Sequence, residues 1–594
     1  MLRRILATFL IAVLAGCQGM PGYEHMPWHE ERVWPADPAD MVLLDGRVFL
    51  ADAAQTEHEA IAIRGNRVLA VGASEWIATM IGPRTRVVEL GGRLVTPGFN
   101  DTHMHLASGG VSMLEVVLQG ATSLEEVGAR VRAAAAEAAP GEWITGRGWD
   151  QTRMRPEALG TGGWPTKEVL DLAAPDNPVY LRRVDGHVAW VNTRALELAN
   201  IDRTLPHPAG GEIVRDARGD ATGILKESAM NLVGRILPPP DAAKLRRGIE
   251  AAMAVAARSG VTSVQTQVEA EDLVVYRRMR DAGELTLRVY GWDSLSARNI
   301  ARLRADDVIA ATGDEWLRVG MLKGFTDGTL GSRTAWMLEP YSDVPSTRGI
   351  QRLTYDQLVE LVVDADAAGL QVALHAIGDG GNRMALDAYE RALVVNGARD
   401  SRHRIEHAQI LDASDIPRFA GLGIVASMQP THATSDMRWA EERIGTRRAR
   451  EGAYAWRSLL DAGAVVSFGT DFGVEPMEPV QGLYSAVTRQ SREEPGTPPG
   501  GWLPEQRLTI AEAIRAYTAI PAWVEFQEQH KGTLERGMLA DLVVWDRDLL
   551  SVDPGAILEA EPVLTVVDGR VVFETVAAGR TVGANWRPAG DGGD

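Results

Sequence analysis

The chain has 594 residues and a hydrophobic content of 45%, enough to bury large cores in more than one structural unit, which excludes a disordered protein. Its 80 acidic residues outnumber 61 basic ones, for a net charge of −19. That balance excludes nucleic acid as a partner, since such binding needs Lys and Arg to neutralise phosphates, and the spread acidity reads as solubility.

The first seventeen residues read as a signal peptide. Arg3 and Arg4 supply a positive start, and residues 5–15 form an apolar run too short to span a bilayer comfortably. Leu14-Ala15-Gly16-Cys17 follows, and this tetrapeptide resembles a bacterial lipobox, which implies acylation of Cys17. Cys17 is the sole cysteine, so neither a disulfide nor a Cys-ligated metal is possible. Gln18 fits, by resemblance to bacterial sorting rules, an outer-membrane destination. The expectation is an exported protein of the cell envelope with a membrane as partner through its lipid anchor. Residues 18–39, rich in Pro, Trp and charge, read as a tether.

Residues 41–49, 60–71 and 86–94 read as strands, with turns at Asp45-Gly46 and Gly65-Asn66. Residues 540–546 and 563–573 read the same way, with Asp568-Gly569 as a turn. Chain ends often lie close together, so 40–95 plus 530–580 are predicted to form one small β-sandwich, with 581–594 left as a tail. Between them, short apolar β-branched runs alternate with amphipathic stretches. The runs are 93–100, 260–267, 285–293, 317–325, 370–377, 402–408, 424–429 and 465–470. Eight strands with helices between them is the α/β count of a (β/α)8 TIM-like barrel, predicted over 96–529. The stretch from about 110 to 240 is too long for one helix and is predicted to be an insertion beside the active-site face. It carries Trp149, Trp164, Trp190 and the run Arg183-Val184-Asp185-Gly186-His187.

Residues with chemistry fall where these strands end. His103 and His105 follow the first run at i, i+2, a spacing that sends both imidazoles to one side of a strand, where they can share a metal ion. Alone that pair is a weak signal. Lys323 lies in the fourth run, His375 ends the fifth, His407 the sixth and Asp471 the eighth. Barrel enzymes keep their chemistry at strand C-termini, and packing gives no reason to gather four histidines, a lysine and an aspartate there. Lys226 is a rival lysine, but it lies within the insertion.

This constellation resembles the binuclear subtype of the amidohydrolase superfamily, and more closely its YtcJ-like branch, which includes N-substituted formamide deformylases. The motifs that carry the closer likeness are Gly146-Arg147-Gly148-Trp149-Asp150, Asp185-Gly186-His187, Lys323 through Asp327-Gly328-Thr329-Leu330-Gly331-Ser332-Arg333-Thr334-Ala335, Gln429-Pro430-Thr431-His432, Trp502-Leu503-Pro504-Glu505-Gln506 and Gly537-Met538-Leu539-Ala540-Asp541-Leu542. It spans about residues 40 to 575. The resemblance implies that His103 and His105 hold one divalent ion and His375 and His407 another, both zinc-like. It implies further that Lys323 is carboxylated and bridges them, and that Asp471 binds metal and, as the catalytic residue, handles the proton. Two such ions roughly 3.5–4 Å apart lower the pKa of a bridging water and polarise a carbonyl.

The implied reaction is hydrolysis of a C–N bond in a small amide or an N-formyl or N-acyl amine by a metal-activated hydroxide. Hydrolysis of a lactone, ester or phosphoester, or deamination, are the alternatives on the same fold. Deamination is disfavoured because Lys323 is present and Ala376-Ile377-Gly378-Asp379 follows His375, where that subtype places a Glu. No G-x-S-x-G supports a serine hydrolase, and His29-Glu30 and His58-Glu59 lack the second histidine of a zincin. A non-catalytic, lipid-anchored binding protein would have no reason to keep all six ligands. His187, His432, Trp149 and Asp327 are the candidates for substrate binding. Beside that reading stand a structural hydrogen bond for the histidines, aromatic packing for Trp149 and a plain turn for Asp327. Glu406 and Asp101 adjoin ligands in sequence, without a role that sequence can fix.

Overall fold

The computed structural model describes residues 38–183, 188–208, 211–331, 333–575 and 581–582. Cys17, the tether up to residue 37, His187 and the tail beyond 582 lie outside them.

Eight parallel strands stand side by side in chain order: β1 Phe99–Met104, β2 Val261–Gln267, β3 Arg288–Ser294, β4 Leu317–Phe325, β5 Gln371–Ala376, β6 Arg404–His407, β7 Val425–Met428 and β8 Val466–Phe468. Helices follow most of them, among them Ala242–Arg258, Tyr355–Ala367 and Asp379–Asn396. β5, β6, β7 and β8 are buried along their whole length, as strands covered by a filled lumen on one side and helices on the other must be. This is the (β/α)8 barrel.

The ring is nearly closed, and the seam between β8 and β1 is held by a side chain. Both oxygens of Asp101 in β1 accept from the Thr470 backbone N–H at 3.0 Å, and one also accepts from the Thr470 hydroxyl. Asp471 N–H donates to the His103 carbonyl at 2.7 Å. A Cβ at Gly469 would lie 2.6 Å from His103 N and 2.7 Å from Asp101 Oδ1, so only glycine lets the two strand ends come this close.

The first barrel strand is not the predicted run 93–100. Leu94–Pro97 belongs to another sheet, pairing with Leu542–Trp545 and with Arg47–Phe49. Proline cannot donate to a ladder, and the Pro97-Gly98 break hands the chain from that sheet to β1. His103 therefore sits inside a strand, and His105 lies just past its end, at the N-cap of helix Leu106–Met113.

Two further sheets form the sandwich. One holds Met41–Leu44, Ala60–Arg64, Arg67–Gly72, Arg86–Glu89 and Thr581–Val582. The other holds Arg47–Phe49, Glu57–His58, Leu94–Pro97, Leu542–Trp545, Pro562–Val567 and Arg570–Glu574. Leu43, Ile61 and Val88 of the first share one core with Val48, Val95, Leu542 and Leu564 of the second, so both chain ends build it. The insertion between β1 and β2 has a mixed sheet of its own, in the order Gly211–Arg215, Ala221–Glu227, Val188–Val191, Val179–Arg183, Ile144–Trp149 and Val116–Val117.

Sandwich and barrel are joined through Arg288 of β3. Its guanidinium is 3% exposed and donates to both oxygens of Asp541 at 2.7 and 3.0 Å and to Asp568 at 3.1 Å, while stacking over Trp316. Removing one partner of such a buried pair strands the other charge, at a cost of about 3–5 kcal/mol. Arg288→Ala is therefore expected to lower the free energy of chemical unfolding by that amount, and Arg288→Met with Asp541→Leu by much less. Equal losses in the single and double variants would show that packing, not stranded charge, is what Arg288 contributes.

Candidate metal centre

In a regular strand Glu406 and His407 would face opposite sides. Here His407 has φ 74° and Ala408 φ 42°, left-handed conformations that cost a non-glycine residue energy. The kink turns both side chains to one place. His103 Nδ1 donates to Glu406 Oε2 at 2.8 Å, and the His407 ring centroid lies 4.8 Å from that of His103. Asp471 also has a left-handed backbone, φ 59°, which aims its carboxylate back at the lumen just after β8 ends.

His103, His407 and Asp471 are buried, and one ligand atom from each lies within 4.8 Å of the others. Each first-strand or sixth-strand histidine has an acceptor behind it: Glu406 for His103, Gln267 Oε1 at 3.2 Å for His105 and Gln429 Oε1 at 2.8 Å for His407. An acceptor on Nδ1 fixes the proton there and leaves the Nε2 lone pair facing the centre. Asp471 Oδ1 lies 3.5 Å from His103 Nε2 and 3.4 Å from His105 Nε2, buried and without a hydrogen-bond partner. Buried polar atoms without partners are rare in folded proteins, and a partner-free carboxylate oxygen among imidazole lone pairs is the donor set of a divalent cation.

The electrostatics agree. Burial, with the nearby Lys323 charge, pulls His103 down to about 4 and His375 to about 3, and burial with the neighbouring imidazoles holds His407 well below its usual range. Burial opposes ionisation of Asp471, but the His105 imidazole 3.4 Å away and the surrounding histidines hold it well below the carboxylate range. Neutral imidazoles and an anionic carboxylate are the protonation states a metal requires.

Lys323 and His375 border the trio. Lys323 Nζ is buried, 3.1 Å from His103 Nε2, over the faces of Trp292 and Phe325. The His375 ring lies 4.6 Å from that of His407, with its Nε2 3.0 Å from the Gly328 carbonyl. His432 joins them from helix Pro430–Asp436: its Nε2 is 3.5 Å from Asp471 Oδ2 and its ring stacks on His407.

Two candidates for substrate binding do not line the centre. Asp327 is fully buried, and its oxygens accept the backbone N–H of Trp336 at 2.9 Å, Ile377 at 3.0 Å and Gly378 at 2.8 Å. It ties the loop after β4 to the end of β5, behind His375. Trp149 is fully buried in the insertion core against Trp164 and Trp190, with its indole N–H on the Leu181 carbonyl, so no face is left for a substrate. Lys226 pairs with Glu212 at 2.8 Å on the insertion sheet. Sequence reasoning missed the supports: Gln267, Gln429, Trp292 stacked on His103, and Arg404, whose Nε lies 2.5 Å from Glu406 Oε1 in full burial. The signal for the last was present in Arg404-Ile405-Glu406-His407, a charge pair at i, i+2 leading into a ligand.

The pattern of the amidohydrolase family matches residues 86–573. The chain belongs to the amidohydrolase family. It is 34% identical over 533 residues to Protein LONG AFTER FAR-RED 3 of Arabidopsis thaliana, covering 86% of this chain and 88% of that protein. It is 32% identical to the putative amidohydrolase YtcJ of Bacillus subtilis, over 87% of this chain and 96% of that one. With the N-substituted formamide deformylase of Arthrobacter pascens it shares 28% identity over 90% and 98% of the two chains. The crystal structure of an uncharacterized metal-dependent hydrolase from Pyrococcus furiosus superposes with a TM-score of 0.71 at 30% identity, covering 86% of this chain and all of that one. The amidohydrolase described here is a metal-dependent hydrolase with a YtcJ-like sequence.

Groups that orient ligands from behind typically set metal affinity by 10–100-fold. Glu406→Gln keeps the size and loses the charge on His103 Nδ1. Zinc titration of the apo-protein should show affinity lower by about tenfold or more. Unchanged affinity would remove Glu406 from the support of the centre.

Proposed function

We propose that this amidohydrolase cleaves the C–N bond of an amide or an N-formyl or N-acyl amine at two zinc-like ions held by His103, His105, His375, His407, Asp471 and a carboxylated Lys323. The observation that carries the reading is the partner-free Asp471 oxygen facing imidazoles whose Nδ1 atoms are already committed. The deformylase among the relatives supports the bond class. An ammonium at Lys323 would repel an incoming cation. Loss of one proton frees the Nζ amine, and addition of CO2 to it with loss of a second proton turns the same side chain into an anionic ligand.

When bound, the ions supply Lewis acidity toward the substrate carbonyl and toward a water. The chain's own groups do the rest. Asp471, ionised and directed at the centre, takes a proton from the attacking water and delivers it to the leaving nitrogen, which must depart as an amine. Trp292 covers His103 and keeps bulk water from the metal side. Phe325 stands two residues beyond Lys323 on the same lumen side, 42% exposed and 5.1 Å from the His375 ring, and gives the mouth an apolar wall for the substituent on nitrogen or carbonyl.

Metal-replete protein should contain about two ions per chain and turn over N-formyl or N-acyl amines in a screen that also offers lactones and carbamates. Turnover confined to lactones would overturn the C–N assignment, and one ion per chain the binuclear one. Lys323→Arg should lose metal and activity together, because a guanidinium cannot become a carbamate. Lys323→Ala should regain part of both with short carboxylic acids. Asp471→Asn should lower kcat by about 10²–10⁴, the worth of a positioned proton carrier.

The same proposal places the protein at the cell envelope through acyl chains on Cys17. Its support is the Leu14-Ala15-Gly16-Cys17 sequence; no described helix is long and apolar enough to cross a membrane. Buried acyl methylenes contribute about 0.8 kcal/mol each, so the wild type should fractionate with membranes and Cys17→Ala should not. An intact mass without acyl addition would refute it.

A further inference from the structure

One arginine at the mouth of the barrel has a fixed place and nothing to hold. The loop that leaves β4 returns to its own start, where the Arg352 backbone N–H donates to the Thr326 carbonyl at 2.9 Å. From there the Arg352 guanidinium stands over the Phe325 ring, 5.5 Å from its centre. Lys323 Nζ lies 5.4 Å from the same centre, and the His375 ring 5.1 Å from it. A single phenylalanine therefore separates Arg352 from two of the proposed metal ligands.

A ring face attracts a guanidinium but gives its N–H donors no oxygen to bond. The other arginines set over rings have one as well: Arg288 has Asp541, Arg402 has Glu528, Arg443 has Asp343, Arg404 has the Thr102 carbonyl and Arg489 the Trp502 carbonyl. Arg352 is exposed, and among the described residues its side chain has neither a hydrogen bond nor an ion pair. The chain carries 80 acidic residues, so partners are not scarce.

Resting on the hydrolase reading above, we infer that Arg352 is a specificity residue and that the substrate is an N-formyl or N-acyl amino acid, whose carboxylate Arg352 binds. The scissile amide then faces the metal side, the apolar part of the substrate lies along Phe325, and the carboxylate takes the N–H fork, which matches two oxygens at once. An acidic chain repels an anionic substrate in general, and an unpaired cation at the mouth reverses that locally.

N-formylphenylalanine and N-formyl-2-phenylethylamine differ by the carboxylate alone. With metal-replete wild type, kcat/KM should favour the acid by about tenfold, the worth of a hydrogen-bonded charge, and the preference should shrink as salt screens the pair. Arg352→Gln should bring the ratio close to one. Arg352→Lys should keep part of it, because an ammonium holds the charge and loses the fork. A wild type that does not prefer the acid, or a preference that survives in Arg352→Gln, overturns the inference. Calorimetric binding of the same two compounds reads the recognition without chemistry. The acid should bind wild type about tenfold more tightly than the neutral compound, and Arg352→Gln should lose that difference. An acid that binds no better than the neutral compound, or not at all, overturns the inference. Absence of turnover on every C–N substrate, with the binding difference intact, would strike the hydrolase reading alone.

Discussion

The whole site depends on Asp101 holding the last barrel strand to the first. β8 and β1 do not share a ladder in the way their neighbours do, and the carboxylate that replaces one is almost completely buried. Burial pushes Asp101 up to about 7, against the pull of the Thr470 hydroxyl and the backbone N–H groups of His103 and Thr470. Those same bonds set the level of both strand ends. His103 donates its backbone N–H to Asp101 and accepts that of Asp471 on its carbonyl, so the histidine pair and the aspartate, from opposite ends of the barrel sequence, are placed by one small knot of hydrogen bonds. A barrel open at this seam would still bury its helices but would have no fixed distance between His103 and Asp471.

The cost of the site is concentrated in the same few residues. His407, Ala408 and Asp471 all adopt left-handed backbones, each worth about 1–3 kcal/mol of strain when a non-glycine residue takes it. Regular strands cannot supply Glu406 and His407 to one centre, so strain and function here are one requirement. The surrounding structure over-determines these positions: Tyr389 donates its hydroxyl to the Arg404 carbonyl, Tyr517 donates to the Gly469 carbonyl, and the ladders of β6 and β8 run into buried neighbours on both sides.

The barrel was readable in the sequence because strands covered on both faces must be apolar throughout, and β4 begins and ends where the run of residues 317–325 does. The six proposed ligands were readable because polar residues at the ends of such runs stand out. Burial is blind to which sheet a strand joins, however, and so Leu94–Pro97 looked like barrel until its partner Leu542–Trp545 was seen. Motif strings are equally blind to the difference between a residue kept for folding and one kept for chemistry. Asp327 and Trp149 stand in motifs beside residues of the site, yet one is a backbone anchor and the other a core tryptophan. The role of Glu406 was hidden because period-two alternation forbids it and only the left-handed turn at His407 restores it.

The ligands are not held alike, and the difference has a chemical direction. His103 is backed by a carboxylate, while His105 and His407 are backed by neutral amides. A buried carboxylate is itself unstable unless compensated, and Arg404, fully buried beside it, supplies the positive charge. Burial opposes ionisation of Glu406, but the Arg404 charge and the His103 contact hold it well below the usual carboxylate range. The pair adds no net charge to the lumen, yet it polarises His103 more than an amide could, making that imidazole the strongest donor of the three. Arg404 also donates to the Thr102 carbonyl at 2.8 Å and to Gln265, so the guanidinium that balances Glu406 ties β6 to β1 and β2. Charge balance, donor strength and barrel closure thus converge on one buried arginine that touches no ligand directly.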